Sequence, residues 1–398
     1  MTNKNYILIT LACVQFAHIM DSMIMMPLGK VFMDEFSITP QQFTFLVGAY
    51  PLGAFISNIL GVFFLDRFDR KKALLIIFGG FLIGTFFCAL STTFTMLTLV
   101  RFVTGIFGGL NGALVLSIAS DLFSYRERGK AMGAVMTGFS AAAALGLPLG
   151  LLITYQFTWH YAFYFIAFFG MPVFLFIWSQ FPAINGHFKE GKKKFLELKK
   201  LTNIFKDKNQ VFALIFGVVL IFGHFLVIPF IAPFMEINIG FTEKELILMY
   251  LIGGSLTAFT SPFFGKLVDR YGALKIYATI LILSFIPTIW VTHMVAQSAV
   301  WALIATSLFF IFGSGRMIAP QAMISAVINA ESRGSFMSFK AALQQLAIFL
   351  ATILSGMIVK ESDAKLLTHF NYLGYISVAI LLMTFLVAGR LKVAAGNE

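Results

Sequence analysis

The chain has 398 residues, of which 59% are hydrophobic and 12% charged, and its formal net charge is +11. A soluble domain of this size could not bury so much apolar surface in one core, so the composition indicates a protein solvated by lipid. A strongly basic chain could bind nucleic acid, but here the basic residues fall between apolar segments in a pattern typical of membrane topology, and we expect no nucleic-acid partner.

Apolar windows of roughly 18 to 25 residues, long enough to cross a bilayer, recur along the whole chain. Their centres lie near residues 17, 54, 82, 108, 142, 170, 222, 256, 285, 314, 347 and 380. The sequence therefore predicts an all-α membrane protein with twelve transmembrane helices, numbered here as spans 1 to 12.

The basic residues indicate the orientation of these spans. If the N-terminus is cytoplasmic, 22 of the 29 Lys and Arg residues fall in cytoplasmic segments and four fall outside. The remaining three, Arg101, Arg316 and Lys340, lie within spans. Because positive charge accumulates on the cytoplasmic side, we expect both termini to be cytoplasmic.

Span 1 contains a carboxylate in an otherwise apolar run, in the stretch "HIMDSMIMMPLG". Asp21 is the only acidic residue that we place deep in any span, and His18 shares its helix face. Burial favours the protonated acid and a nearby arginine favours the carboxylate, so a conformational change could load and release a proton here. The alternative is an Asp21 that is permanently neutralised by Arg101 or His18 for structural reasons.

The chain repeats itself after span 6. The stretch "GVFFLDRFDRKKAL" recurs as "GKLVDRYGALKIY", so that Asp66-Arg67 corresponds to Asp269-Arg270. A parallel internal repeat of six helices accounts for this spacing. We therefore predict an N-terminal half at 1–181, a basic cytoplasmic linker at 182–210 and a C-terminal half at 211–398. The linker is either a solvated connection or a helix on the lipid surface.

Spans 4 and 5 carry small residues at helical spacing. In "RFVTGIFGG", Arg101 is followed by Gly105 and Gly109, and an arginine in hydrocarbon should face a cavity or a carboxylate. In span 5, the residues that mark a closely packed helix face are Gly138, Gly146, Pro148 and Gly150.

The second half carries basic groups within its spans. Arg316 of span 10 aligns with Asn111 of span 4 under the repeat, Lys340 and Gln344 lie one turn apart in span 11, and His224 lies in span 7. If these groups line a cavity, they favour an anionic or hydroxyl-rich substrate. Alternatively, Lys340 extends towards the inner membrane surface.

These motifs resemble the major facilitator superfamily, and in particular its twelve-helix drug:H+ antiporter branch with the sugar-efflux-like members. The loop after span 2 is similar to the family pattern G-x-L-A-D-R-x-G-R-K, span 4 to R-x-x-x-G-x-x-G, and span 5 to G-x-x-x-G-P-x-x-G-G. The first loop has Val62 and Asp69 where the family has glycines. The resemblance implies that the two loops gate the transporter, through Asp66, Arg67, Arg70, Lys71, Gly265, Asp269, Arg270 and Gly272.

The resemblance implies a monomeric transporter of a bacterial inner membrane that exports a small amphiphilic, sugar-like or anionic compound in exchange for protons. Asp21, Arg101 and His18 would couple protons, and the candidates for substrate contact are Asn111, Arg316, Lys340, Gln344 and His224. No G-x-x-x-x-G-K-[ST] loop occurs, so we expect the proton gradient rather than ATP to supply energy, with no cofactor or metal. Proton-coupled uptake of an organic anion and a membrane sensor without transport are the alternatives. No motif for an intramembrane enzyme supports that class.

Overall fold

The computed structural model describes residues 4–64, 68–123, 125–184, 204–296, 298–328 and 333–391, which are almost entirely helical. In the first part of the chain the helices are α1 (Lys4–Ile24), α2 (Gly29–Phe36), α3 (Pro40–Phe64), α4 (Arg70–Ala89), α5 (Phe94–Leu122), α6 (Tyr125–Ala141), α7 (Leu147–Gln156) and α8 (Trp159–Gln180). In the second part they are α9 (Lys208–Phe225), α10 (Ile228–Phe234), α11 (Glu243–Tyr271), α12 (Ala273–Thr292), α13 (Ala299–Ala326), α14 (Arg333–Ile358) and α15 (Phe370–Ala388). Two short antiparallel strands, β1 (Lys360–Glu361) and β2 (Leu367–Thr368), precede α15.

Twelve helices in the described ranges are long and apolar enough to cross a membrane. Each predicted centre falls inside one of them, so the predicted all-α fold with twelve spans is confirmed. Span 5 consists of α6, a π-helical turn at Ala142–Gly146 and α7, and span 7 contains a similar turn at Met235–Ile239. Many large apolar side chains are exposed, such as Phe259 at 79%, as expected of surfaces that face lipid.

The irregular turn in span 5 has a local cause. Pro148 lies just after the π-helical turn and near the start of α7. Proline has no backbone N–H to donate to the preceding turn and its ring crowds that turn, so a regular α-helix cannot run through this point. The amide of Leu147 instead bonds to the carbonyl of Ala142, one residue farther back than in an α-helix.

The chain forms two compact units, 1–25 with 49–194 and 26–48 with 195–398. Residues 26–48, which the sequence analysis assigned to the first half, thus cluster with the second unit. The predicted boundaries at 181 and 210 stay a prediction, and most of the linker lies outside the described residues.

Each unit repeats the same helix pairings. In the first unit, α1 packs against α6 and α8, and α4 packs against α5 and α8. In the second unit, α9 packs against α14 and α15, and α12 packs against α13 and α15. The pairs occupy equivalent positions in the two six-helix halves, which are therefore pseudo-symmetric.

Candidate functional site

A buried ion pair lies in the first unit. Nη1 of Arg101, on α5, donates to Oδ2 of Asp21, on α1, over 2.6 Å, and Nη2 donates to the backbone carbonyl of Asp21 over 3.2 Å. Thr85 of α4 donates from Oγ1 to the other carboxylate oxygen over 3.2 Å. Asp21 is 0% exposed and Arg101 is 1% exposed. Each charge has its counter-charge and hydrogen bonds, which is the condition for keeping ions in a low-dielectric interior.

Tyr50 of α3 connects His18 to this pair. Its hydroxyl lies 2.9 Å from Nδ1 of His18, and the guanidinium of Arg101 lies 4.6 Å from the centroid of its ring, a cation–π contact. Two glycines of α5 make room for Tyr50, because a Cβ at Gly105 would meet its carbonyl oxygen and a Cβ at Gly108 would meet its hydroxyl. The spacing of small residues in span 4 therefore positions the tyrosine that contacts both His18 and Arg101.

The other predicted packing residues of the first unit also lie at close contacts. A Cβ at Gly109 would meet Ala54 on α3, and one at Gly138 would meet the backbone of Ala12 on α1. Gly146 and Gly150 face α1, where their nearest neighbours are Phe16, Met20 and Ile24. A larger residue at Gly109 or Gly138 would require movement of the neighbouring helix, whereas at Gly146 or Gly150 it would displace side chains of α1.

Asn111 of α5 is fully buried, and neither atom of its side-chain amide has a hydrogen-bond partner among the described residues. Oε1 of Gln15, on α1, is also buried without a partner. Gly112 follows Asn111 in the chain, and a Cβ there would be 3.9 Å from Oε1 of Gln15 and 4.0 Å from Nε2 of His18. Buried amides without partners are costly, so this is a place where a water molecule or a substrate hydroxyl could bind.

The second unit contains a buried arginine, Arg316, whose hydrogen-bond partners are uncharged side chains. Nη2 of Arg316, on α13, donates to Nδ1 of His224, on α9, over 2.6 Å, and Nη1 donates to Oγ of Ser284, on α12, over 3.1 Å. Arg316 is 1% exposed and has no ion pair among the described residues. Its charge is therefore held by neutral acceptors only.

Lys340 of α14 packs near Gly217 of α9, on the face of α9 that also carries His224. Its Nζ donates to Oε1 of Gln321, on α13, over 2.5 Å, and the residue is 4% exposed. Gln344 is half-buried, and its Nε2 would be 3.8 Å from a Cβ at Gly217. Lys340 thus points into the protein in this structure and does not extend to the surface.

The first predicted gating loop is described in part, since Asp66 and Arg67 lie outside the described residues. Asp69 caps the N-terminus of α4, accepting a hydrogen bond from the amide of Lys72, and its other carboxylate oxygen accepts one from the amide of Ile184. Asp69 stands where the family motif has glycine, so this substitution gives the helix a cap and joins the loop to the segment after α8.

The cations of this loop also have defined partners. Nε of Arg70 lies 3.1 Å from Oδ2 of Asp121, at the end of α5, and Nζ of Lys71 donates to the carbonyl of Phe181 over 2.7 Å. The loop is therefore bound to α5 and to the end of α8 within the first unit.

The second loop joins α11 to α12. Gly272 has φ of 88°, which a residue with a side chain rarely adopts, and it forms the turn between the two helices. Nothing would lie within 4 Å of a Cβ at Gly265. Asp269 is exposed and the guanidinium of Arg270 lies over the ring of Tyr271.

Five residues of these clusters were not identified from the sequence: Gln15, Thr85, Tyr50, Ser284 and Gln321. Single polar residues of these types occur in membrane helices, and no sequence pattern distinguishes these five from the others. No group of three or more His, Cys, Asp and Glu side chains that could bind a metal occurs within the described ranges.

Twelve candidate spans in the described ranges, helix pairings that repeat between the two halves, and charged groups buried in each half form an architecture typical of membrane transporters. The sequence matches the model of the Major Facilitator Superfamily over residues 11–260 and again over residues 213–395. The chain therefore belongs to the Major Facilitator Superfamily and is a multi-pass membrane transporter.

Similar proteins agree with this assignment. The Escherichia coli (strain K12) protein named "Putative transporter AraJ" is 24% identical over 271 residues, which are 67% of this chain and 66%, just under two thirds, of that protein. A crystal structure of a bacterial homologue of the human lysosomal transporter Spinster, inward-facing and occupied, matches with a TM-score of 0.79 at 16% identity over 100% of this chain and 99% of that one. The inward-open xylose transporter XylE from E. coli matches with a TM-score of 0.76 at 16% identity, over 99% and 98% of the two chains. At these identities the solved structures establish the fold alone.

Proposed function

We propose that this transporter exports a small amphiphilic, sugar-like or anionic compound in exchange for protons, by alternating access. In this proposal it acts as a monomer in a bacterial inner membrane with both termini in the cytoplasm. The proton gradient supplies the energy, and no cofactor takes part.

The observation that carries the proposal is the buried Asp21, held between Arg101 and Thr85. In the paired state the arginine favours the carboxylate, and loss of the pair in a buried site favours the protonated acid. A conformational change that separates Asp21 from Arg101 would therefore load a proton, and its reversal would release one. His18 and Tyr50 adjoin the pair and would move with it, because Tyr50 contacts both His18 and Arg101.

The two Asp-Arg loops gate the transporter in this proposal. Arg70 and Asp121 form a charged contact at the end of α5, and such contacts can break and reform as helices shift. The Asp69 cap holds the first loop on α4 and so keeps the neighbouring Arg70 in position.

A second candidate is proton-coupled uptake of an organic anion. It is favoured by Arg316 and Lys340, which are buried with neutral partners only and would attract an anionic cargo. Uptake and export share the fold and the proton site, and they differ in the direction of net substrate movement. A membrane sensor without transport would bind the compound and move none.

Proton flux in proteoliposomes tests the proposal. The natural protein and Asp21→Asn are reconstituted with a pH-sensitive dye inside, and drugs, sugars and organic anions are added in turn. We expect a substrate-dependent proton flux that disappears in Asp21→Asn while exchange of labelled substrate across the membrane continues. Preloaded vesicles with a proton gradient of either sign then give the direction of coupled movement.

Glu127→Gln is the matched control, because Glu127 also forms an ion pair, with Lys4 over 3.1 Å, but at the exposed surface of the first unit. It should keep the full proton flux. Full flux in Asp21→Asn would contradict the proposal and would make the pair with Arg101 structural. Binding without any flux in the natural protein would favour the sensor.

A further inference from the structure

Arg316 and Lys340 are cations in the interior of the second unit, and neither has a carboxylate within 4.0 Å among the described residues. An isolated charge in a low-dielectric interior is destabilising by several kcal/mol unless a counter-charge compensates it. The same chain supplies that compensation to Arg101, through Asp21. The second unit therefore contains two positive charges that the described protein groups leave uncompensated.

The groups that form hydrogen bonds with these cations all act as acceptors. Arginine can only donate, so Nδ1 of His224 must accept, which assigns the histidine as the neutral tautomer with its proton on Nε2. Oγ of Ser284 accepts from Arg316 and donates its own proton to the carbonyl of Leu281. Nε of Arg316 is buried without a partner, as is Nε of Arg101, but only Arg101 has a carboxylate to balance its charge. Arg316 thus retains donors and a net charge that its surroundings do not satisfy.

The two cations are arranged along one helix. Arg316 contacts His224, and Lys340 lies at Gly217, seven residues earlier on α9. Seven residues are about two helical turns, so the two positions share a face of α9 and are separated by roughly 10 Å along its axis. Gln321 lies near the C-terminal end of α13 and Lys340 near the N-terminal end of α14, while Arg316 lies farther from the end of α13.

We propose that Arg316 and Lys340 form an oxyanion site in the second unit, at which the transported compound binds through a carboxylate or phosphate group. This proposal rests on the proposed transport function and defines its substrate class more narrowly. The planar guanidinium of Arg316 can donate two parallel hydrogen bonds to an oxyanion, which a halide cannot accept in the same way. Lys340 provides a second positive charge about two turns farther along α9. The anion can move from Arg316 to Lys340, or a second anionic group of the same compound can bind there.

A lipid phosphate is a less suitable occupant. Side chains that face lipid are exposed in this structure, as Phe259 is, whereas Arg316 and Lys340 are both buried. Arg316 and Lys340 lie against His224 and Gly217 of α9, and Gln321, which accepts from Lys340, is exposed. The burial of both cations therefore favours a soluble compound over a lipid headgroup.

Thermal unfolding of the purified full-length protein in a neutral detergent tests the site. The unfolding temperature is measured in sodium phosphate, sodium acetate and sodium chloride at equal ionic strength. A ligand that binds only the folded state raises this temperature with its concentration. We expect phosphate and acetate to raise it above the value in chloride, and Arg316→Gln to weaken the apparent affinity roughly 10- to 100-fold, as for loss of a charged hydrogen bond.

Two further variants complete the measurement. Arg316→Lys keeps the positive charge and loses the planar guanidinium, so it should fold and show a weakened oxyanion shift. It replaces Arg316→Gln in the test if that variant fails to fold. Lys275→Gln removes an exposed lysine of α12 and should leave the shift unchanged. In plain chloride, Arg316→Gln should unfold at the natural temperature or above it, because removal of an uncompensated charge offsets the loss of two hydrogen bonds.

Several outcomes would overturn the proposal: no shift with phosphate or acetate, an equal shift in chloride, or a full shift in both Arg316 variants. A lower unfolding temperature of Arg316→Gln in chloride, with the oxyanion shift intact, would make the arginine structural. A shift produced by phosphatidylglycerol vesicles and not by phosphate would assign the site to a lipid headgroup. Because this assay uses no proton gradient, its result is independent of the proton-flux experiment, and either proposal can fail alone.

Discussion

The guanidinium of Arg101 lies 4.6 Å from the ring centroid of Tyr50. The hydroxyl of the same tyrosine bonds to His18, so one side chain of α3 contacts both the cation of the buried pair and the histidine one turn before Asp21. Movement of α3 against α1 and α5 would therefore disturb both contacts together.

Tyr50→Phe separates these two contacts. The phenylalanine keeps a ring beneath Arg101 and loses the hydrogen bond to His18, so we expect the protein to fold and substrate-dependent proton flux to fall several-fold, since loss of one neutral hydrogen bond is worth about 1 kcal/mol. The measurement is the initial rate of flux in proteoliposomes. Thr98→Val is the control, because it removes a hydroxyl that bonds only to a backbone carbonyl of its own helix. An unchanged rate in Tyr50→Phe would show that His18 acts without Tyr50.

Gly105→Ala should destabilise the first unit. The added methyl would meet the backbone carbonyl of Tyr50, which cannot move without moving α3, and overpacking of this kind costs about 1–3 kcal/mol. We expect a lower unfolding temperature in detergent. Gly133→Ala is the matched control, because nothing would lie within 4 Å of its Cβ and alanine favours a helix over glycine. Equal effects of the two changes would contradict a packing role for Gly105.

Asp69→Ala should weaken the attachment of the first loop. It removes the cap of α4 and the hydrogen bond to the amide of Ile184, with an expected loss of about 1 kcal/mol from the cap alone. Asp69→Asn keeps an acceptor oxygen for the cap and should unfold closer to the natural temperature. Thermal unfolding of the two variants and the natural protein measures the difference, and an unchanged unfolding temperature in Asp69→Ala would show that the cap contributes nothing.

The sequence was most informative where a residue type conflicts with its surroundings. Twelve apolar windows had to be spans, and the one carboxylate placed deep within them needed a compensating group, so Asp21 and Arg101 could be identified as candidates. The faces that bring Asp21, Arg101 and Thr85 together depend on how α1, α4 and α5 pack, which the helical period alone does not determine.

Other residues were ambiguous for a physical reason. Lys340 stands close enough to the start of α14 that its long side chain could reach either the surface or the interior, and only its bond to Gln321 distinguishes these positions. Asp69 stood out in the sequence only as a missing glycine, since its role as a cap depends on the neighbouring segment at Ile184.

A double-mutant cycle on Asp21 and Arg101 separates the stability of the pair from its proposed role in proton coupling. Asp21→Asn leaves a buried, uncompensated arginine, and Arg101→Gln leaves a buried carboxylate, so each single change should destabilise the protein, by about 3–5 kcal/mol if the site does not relax. In the double variant both charges are gone, and an amide pair in the same place should recover most of that loss. The measurement is the unfolding temperature of the four proteins in the same detergent. If the two single effects simply add in the double variant, the contact of 2.6 Å contributes no coupling energy. If stability recovers while substrate-dependent proton flux stays absent, the carboxylate serves proton coupling beyond its part in holding the helices together.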